Sequence, residues 1–207
     1  YFFQYRDDAQ KLFLREYVYT LGTFHYNWHD EIELLVILRG RADICTGGCV
    51  YQLEEDDMIL INSNEGHATL ARSADCLAFL IRFSPTVFEA YDANYRALRF
   101  QLLTDSSSRS QLPYRLLRMY MTKMLLAMET DEQKNLLQMQ SGLYPLLELL
   151  QSQFRQTASG KSSISSSRSR LLVQQMIQYI EKHYQEKVTL NSLAEQMGYN
   201  PSYLSQP

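Results

Sequence analysis

Residues 32–61, with the sequence IELLVILRGRADICTGGCVYQLEEDDMILI, decide the fold because they contain four short apolar runs separated by turn-forming residues. Runs of Ile, Val, Leu and Tyr of this length favour β-strands. Between Cys45 and Cys49 lies a three-residue connection, 46–48, with two glycines that can adopt positive φ. The flanking runs are therefore predicted to pair as a β-hairpin.

Similar apolar runs on both sides extend this pattern over most of the first 83 residues. Many short strands separated by turn signals are typical of a sandwich or a barrel. The predicted strands span residues 12–19, 32–38, 41–45, 49–53, 58–61 and 76–83.

After residues 84–85 the apolar period changes from two to between three and four, which predicts amphipathic helices. Residues 130–132 form a short acidic turn with helix-start chemistry, so the two helices are predicted to fold back on one another. Their apolar positions are Leu117, Met121, Met124 and Met128 in the first helix, and Leu136, Met139, Leu143, Leu146, Leu150 and Phe154 in the second.

The composition indicates a globular protein of one large or two small domains, with 207 residues, 45% of them hydrophobic and 12% aromatic. The chain shows neither an apolar run long enough to span a membrane nor a secretion signal, so we expect a cytoplasmic protein without a membrane partner. The net charge of −3 argues against a protein that coats nucleic acid along its whole length. The first residue, Tyr1, and the end just after a helix-start signal suggest a fragment.

Residues 157–169 are rich in serine and too poor in apolar residues to form a core, which predicts an interdomain linker. Beyond it, Thr189 can cap a helix, and Gly198 can end that helix in the left-handed conformation. Asn200 and Pro201 then favour a second helix start after a short turn. This layout is a helix-turn-helix, in which the second helix can enter the DNA major groove, although a plain helical hairpin has the same pattern.

The tail closely resembles the start of the DNA-binding domain of AraC-type (AraC/XylS) transcriptional regulators. The resemblance implies that Asn200, Ser202, Tyr203 and Gln206 lie at or near DNA. Pro207 departs from the family pattern, because it falls where the family continues its recognition helix, so weak DNA binding is expected of this chain. The residues that carry the resemblance are Ile180, Glu181, Lys182, His183, Tyr184, Thr189, Leu190, Leu193, Ala194, Met197, Gly198, Tyr199, Ser202, Tyr203 and Leu204.

The strand-rich half resembles a cupin barrel of the kind found in the sensor half of AraC-type proteins. His29, Glu33 and Gly40 have the spacing of the first cupin motif. The second motif is matched more weakly, and metal-binding cupins have a further histidine where this chain has Asn27. No metal or other cofactor is expected, and the residues that could ligate one are His29, Glu33 and His67. The second motif is carried by Asp57, Ile59, Ile61, Gly66 and His67.

A ligand pocket needs apolar walls and a few converging polar groups. Trp28, Tyr51 and Phe83 could supply aromatic faces, and aromatic faces beside paired polar groups suit a sugar or a similar polyol. The alternative is that these aromatic residues belong to the core and that Arg82 is solvated. The candidate ligand-binding residues are Trp28, His29, Glu33, Tyr51, His67, Arg72 and Arg82.

These observations predict an α+β protein: a cupin-like barrel (a double-stranded β-helix), an antiparallel helical pair, and a partial helix-turn-helix domain. The predicted function is a non-enzymatic, dimeric transcription regulator that binds promoter DNA and a small-molecule effector. A metal-dependent cupin enzyme of the isomerase or dioxygenase type, and a binding module without DNA function, remain alternatives. The predicted domains are the barrel at 1–110, the helical pair at 111–156 with dimerisation through 112–156, the linker at 157–169, and the DNA-binding part at 170–207.

Overall fold

The computed structural model describes residues 2–7, 12–128, 136–156, 172, 175–176, 179–180 and 182–204. The chain divides into two compact units, Tyr1–Gln156 and Thr157–Pro207. The predicted linker at 157–169 lies outside the described residues. Within the part of the chain that is described, no helix has the length and apolar character needed to cross a membrane.

The described residues of the first unit form nine strands, all paired antiparallel in two sheets. The five-stranded sheet has the order β1-β2-β9-β4-β7, and the four-stranded sheet has the order β3-β8-β5-β6. The strands are β1 (Phe2–Asp7), β2 (Leu12–Thr20), β3 (Thr23–Asn27), β4 (Ile32–Arg39), β5 (Arg41–Thr46), β6 (Cys49–Glu54), β7 (Met58–Ile61), β8 (His67–Ala71) and β9 (Leu77–Phe83).

The structure confirms the six predicted strands as β2, β4 to β7 and β9, and adds β1, β3 and β8. The β5–β6 hairpin is also confirmed, but its connection has two residues rather than three, because Thr46 still pairs with Cys49. Gly47 and Gly48 have φ values of 59° and 79°. Two successive positive φ angles match the right-handed twist of a two-residue hairpin.

The two faces of the five-stranded sheet belong to different cores. Ile32, Leu34 and Val36 of β4 join a cluster shared with the helices. Leu35 and Ile37, on the other face of the same strand, join the cluster that lies between the two sheets. Because both faces are covered, β4 reads as a continuous apolar run instead of an alternating one.

Two helices cover the outer face of this sheet: α1 (Leu112–Met128) and α2 (Leu136–Leu149), the latter continued by a π-helical turn at Leu150–Phe154. They pack on one another so closely at Gly142 that an added Cβ would lie 2.8 Å from the Tyr120 carbonyl oxygen. Their predicted apolar positions Leu117, Met121, Met124, Met139, Leu143, Leu146, Leu150 and Phe154 are buried.

In the second unit, α3 (Leu190–Met197) and α4 (Pro201–Leu204) are joined by a short turn. Thr189 caps α3 as predicted. Its side chain accepts a hydrogen bond from the Ser192 backbone N–H, and the Ser192 hydroxyl oxygen accepts one from the Thr189 backbone N–H. Gly198 ends α3 with a left-handed φ of 70°, also as predicted. The backbone conformations thus follow the capping residues.

Candidate ligand-binding site

A cavity of about 320 Å³ opens between the two sheets. Its volume is within the range of small-molecule sites. Alternate residues of each strand point into it, because successive side chains of a strand face opposite sides. The lining residues are Tyr17 and Tyr19 of β2, Asn27 of β3, Glu33 of β4, His67 and Thr69 of β8, and Leu80 and Arg82 of β9.

Glu33 is the centre of the polar groups in this cavity. Its Oε2 accepts a hydrogen bond from Arg82 Nε at 2.7 Å and lies 3.2 Å from His29 Nε2 and 3.6 Å from His67 Nε2. Strand register explains the shortest contact, because Glu33 and Arg82 are directly opposed on β4 and β9.

The environment keeps Glu33 ionised although it is almost fully buried. Burial acts to raise its pKa, but the hydrogen bond from His29 and the electrostatic interactions with His67 and Arg82 lower the pKa below its usual value. The pKa of His67 is lowered, mainly by burial, which outweighs the attraction of Glu33. At neutral pH the cavity therefore contains a Glu33 carboxylate balanced by the Arg82 guanidinium, beside a neutral His67.

Aromatic side chains form one wall of the cavity. The Arg82 Cζ lies 5.9 Å from the Tyr17 ring centroid. Burial, followed by the negative charge of Glu33, raises the pKa of Tyr19, so its phenol stays protonated. This wall offers ring faces and hydroxyl groups without adding charge.

The structure brings together four of the seven predicted ligand residues. Glu33, His67 and Arg82 line the cavity and His29 contacts Glu33. Trp28, Tyr51 and Arg72 do not line it. Arg72 instead donates to Asp43 through Nε at 2.8 Å, and Tyr51 lies on β6, which contributes no lining residue. Phe83, also considered for the wall, is buried on the opposite face of β9 with the helices.

Sequence reasoning missed five lining residues: Tyr17, Tyr19, Asn27, Thr69 and Leu80. The two tyrosines are two positions apart on a predicted strand, so the alternation of side chains along a strand places both on the same face. Asn27 and Thr69 lie on β3 and β8, which had not been predicted as strands.

The three residues considered as metal ligands, His29, Glu33 and His67, do converge. One ligand atom from each lies within 4.8 Å of the others. Arg82 shares the same carboxylate oxygen, however, and its permanent positive charge opposes a metal cation there. With Arg82 in this position, the donor set does not fit a metal ion.

Three of the four predicted DNA-contacting residues are described, and they lie just before or within α4. Asn200 Oδ1 accepts a hydrogen bond from the Ser202 backbone N–H at 2.9 Å and so caps this helix. The Ser202 side chain is exposed, and Tyr203 is helical. Gln206 and Pro207 lie outside the described residues.

The barrel of two antiparallel sheets with a central polar cavity defines a ligand-binding cupin-type domain. The family model of the AraC-like ligand binding domain matches residues 11–147. The chain belongs to this family, which confirms the resemblance to AraC-type regulators with a cupin sensor domain.

A curated relative is the HTH-type transcriptional regulator YdeC of Bacillus subtilis (strain 168), which is 26% identical over 191 residues. The match covers 84% of this chain and 61% of the relative, so the chain spans less than two thirds of that protein.

Similar solved structures include KdgF from a Halomonas species, with 15% identity, a TM-score of 0.31, and coverage of 35% of this chain and 68% of that one. A cupin-2 domain protein from Shewanella frigidimarina has 20% identity, a TM-score of 0.29, and coverage of 34% and 68%.

Proposed function

We propose that the chain contains the effector-binding sensor and a DNA-binding part of a transcription regulator, and that it is not an enzyme. The observation that carries the proposal is the cavity built around Glu33 and Arg82 inside a domain of the AraC-like ligand-binding family. An effector acts by binding two states of the protein with different affinity. Binding in the barrel would thereby change the affinity of the reader for promoter DNA.

We propose a neutral polyol such as a sugar as the effector. The charges of Glu33 and Arg82 balance each other, so the site offers hydrogen bonds without an excess charge for an ion to neutralise. Glu33 Oε1 can accept from one hydroxyl group, and the remaining Arg82 N–H groups can donate to another. The Tyr17 and Tyr19 rings supply apolar faces for the C–H surface of a sugar ring.

A sugar that fits this cavity is expected to raise the melting temperature of the chain. A ligand present at about 100 times its Kd adds roughly 2.7 kcal/mol to the free energy of unfolding. Thr69→Val removes a cavity hydroxyl and is expected to weaken binding about fivefold, since one neutral hydrogen bond contributes about 1 kcal/mol. The measurement is a thermal-shift screen of sugars, polyols and organic acids, followed by calorimetric titration.

Thr23→Val is the control for this experiment, because Thr23 is exposed on β3 and does not line the cavity. Stabilisation by organic acids and not by any neutral compound would contradict the polyol proposal.

We propose that α3, the turn at Gly198 and α4 are a helix-turn-helix. Support comes from the cap at Thr189, the left-handed Gly198, and the regulator to which the chain is similar. The full-length protein is expected to bind its promoter DNA with an affinity that falls by roughly 10³-fold between 50 and 200 mM salt. Fluorescence anisotropy at several salt concentrations measures this, with residues 1–156 as the control, and absence of binding at low salt would contradict the reader function.

We also propose a homodimer formed through α1. Leu112, Met119 and Leu126 are 65%, 44% and 52% exposed, and they recur every seven residues. Residues at this interval lie along one face of a helix, as in coiled-coil seams. A dimer would place two DNA readers at paired half-sites and raise their effective concentration.

The second candidate function is a metal-dependent cupin enzyme. The convergence of His29, Glu33 and His67 speaks for it, and the Arg82 guanidinium on the same carboxylate oxygen speaks against it. That function requires a stoichiometric metal ion at this site. Iron or zinc that copurifies with the protein and is lost in His67→Ala would support the enzyme over the sensor.

A further inference from the structure

The two cavity histidines are held in the same way. His29 Nδ1 lies 3.2 Å from the Glu31 carbonyl oxygen, and His67 Nδ1 lies 3.1 Å from the Glu65 carbonyl oxygen. A carbonyl oxygen can only accept, so each Nδ1 is the donor there, and each Nε2 is directed at Glu33 Oε2. A proton on Nε2 donates to the carboxylate, and loss of that proton leaves a lone pair that can ligate a metal ion. Metal-ligating histidines are fixed in this way, with one ring nitrogen bound to a backbone carbonyl and the other directed at the ion.

The positive charge beside these donors comes from Arg82. Its Nε lies 2.7 Å from Glu33 Oε2, the same atom that both histidines approach. Arg82 is fixed at this point by the β4–β9 register. Its guanidinium also lies near the Tyr17 ring face, which favours a cation.

We propose that Arg82 is the resident cation of the cavity: its guanidinium takes the place of a metal ion among His29, Glu33 and His67 and excludes divalent metals from the barrel. Two observations support this. The histidines and Glu33 have the spacing and orientation of a ligand set, and the carboxylate oxygen central to that set is already neutralised. The inference does not depend on the identity of the effector or on DNA binding.

The consequence is that removal of one charge should open a metal site. Arg82→Met keeps an unbranched side chain but removes the guanidinium. This variant is expected to bind one Co²⁺ per chain, at least about 100-fold more tightly than the wild-type protein, because the repulsion between the two cations is lost. Absorbance of the Co²⁺ d–d bands and calorimetric titration of the EDTA-treated protein measure the stoichiometry and affinity.

Three further proteins make the result specific. Arg82→Lys retains a cation and is expected to exclude Co²⁺ like the wild type. His67→Ala combined with Arg82→Met is expected to lose the gained binding. Arg39→Met removes an exposed arginine of β4 that pairs with the exposed Asp75, and is expected to behave like the wild type.

The proposal is overturned if the wild-type protein binds one Co²⁺ in the cavity, or if Arg82→Met binds no more tightly than the wild type. Arg82→Met leaves Glu33 buried without its partner and can fold poorly. Folding of this variant only in the presence of Co²⁺ also supports the proposal. If the variant folds in neither condition, Glu33→His combined with Arg82→Met removes the unpaired carboxylate, and Co²⁺ binding by that protein supports the proposal while its absence contradicts it.

Discussion

Glu16→Met is expected to raise the free energy of unfolding by about 3 kcal/mol at pH 7. Glu16 is fully buried on β2, on the face of the sheet that packs against the helices, and its neighbours across the sheet are Phe3 and Ile81. No donor in the described residues lies within hydrogen-bonding distance of either carboxyl oxygen. Burial raises the pKa of this carboxyl from 4.5 to about 8, so the folded protein carries it protonated at neutral pH.

The effect of Glu16 depends on pH in a defined direction. Between pH 4.5 and about 8 the unfolded chain has released this proton and the folded chain has kept it. Since the unfolded state binds fewer protons there, the contribution of Glu16 to the free energy of unfolding falls as the pH rises. The stability difference between Glu16→Met and wild type is therefore expected to be small at pH 4 and about 5 kcal/mol above pH 8.

Urea unfolding at pH 4, 7 and 8.5 measures this difference. Glu55→Met is the control, because Glu55 is exposed in the turn between β6 and β7. A stability difference for Glu16→Met that does not change with pH would contradict the assignment of a protonated Glu16.

Asp57 has the hydrogen-bond donors that Glu16 lacks. It is also buried, but Arg109 donates to both of its carboxylate oxygens, each at 2.8 Å. The Glu54 backbone N–H and the Thr104 hydroxyl donate as well. Hydrogen bonds from several donors compensate the free energy lost when a carboxylate is buried. A buried carboxyl group without donors lowers the free energy of unfolding.

Leu126→Glu is expected to convert a dimer of this protein to monomers and to raise the dimer dissociation constant by at least about 100-fold. Leu126 is 52% exposed on α1, so the substitution leaves the monomer core intact. In a dimer, two such glutamates would bring unpaired charge into the apolar seam with Met119 and Leu112. Sedimentation velocity over a concentration series measures the association.

Val50→Glu is the control, because Val50 is an exposed apolar residue of β6, outside α1. The dimer proposal fails if the wild-type protein is a monomer at all concentrations, or if Leu126→Glu associates as strongly as wild type.

The strands that could be predicted from sequence are those with continuous apolar runs, such as β4 and β7, which are buried on both faces. β8 has the sequence HATLA, and its small and polar residues give no such run. The missed strands β3 and β8 supply Asn27 and Thr69, so these two lining residues could not be placed in advance, whereas His67 of β8 was identified through the resemblance to the second cupin motif.

Two further features, the Glu33–Arg82 pair and the burial of Glu16, could not be predicted because they depend on residues far apart in the sequence. Glu33 and Arg82 are 49 residues apart and meet only through the β4–β9 register, which local patterns do not specify. Glu16 lies between Arg15 and Tyr17 and looks like an ordinary strand residue in the sequence. Its burial depends on the helices that cover this face, the first of which begins only at Leu112.

Arg82 lies between Ile81 and Phe83 on β9, and this position links two surfaces of the domain. Arg82 faces the cavity, while both neighbours belong to the core shared with α1 and α2. Any displacement of the backbone at Arg82 moves the side chains of Ile81 and Phe83, since adjacent residues share a peptide unit and point to opposite faces. An effector bound against Arg82 would therefore lie one peptide unit away from the side chains that pack beneath α1 and α2.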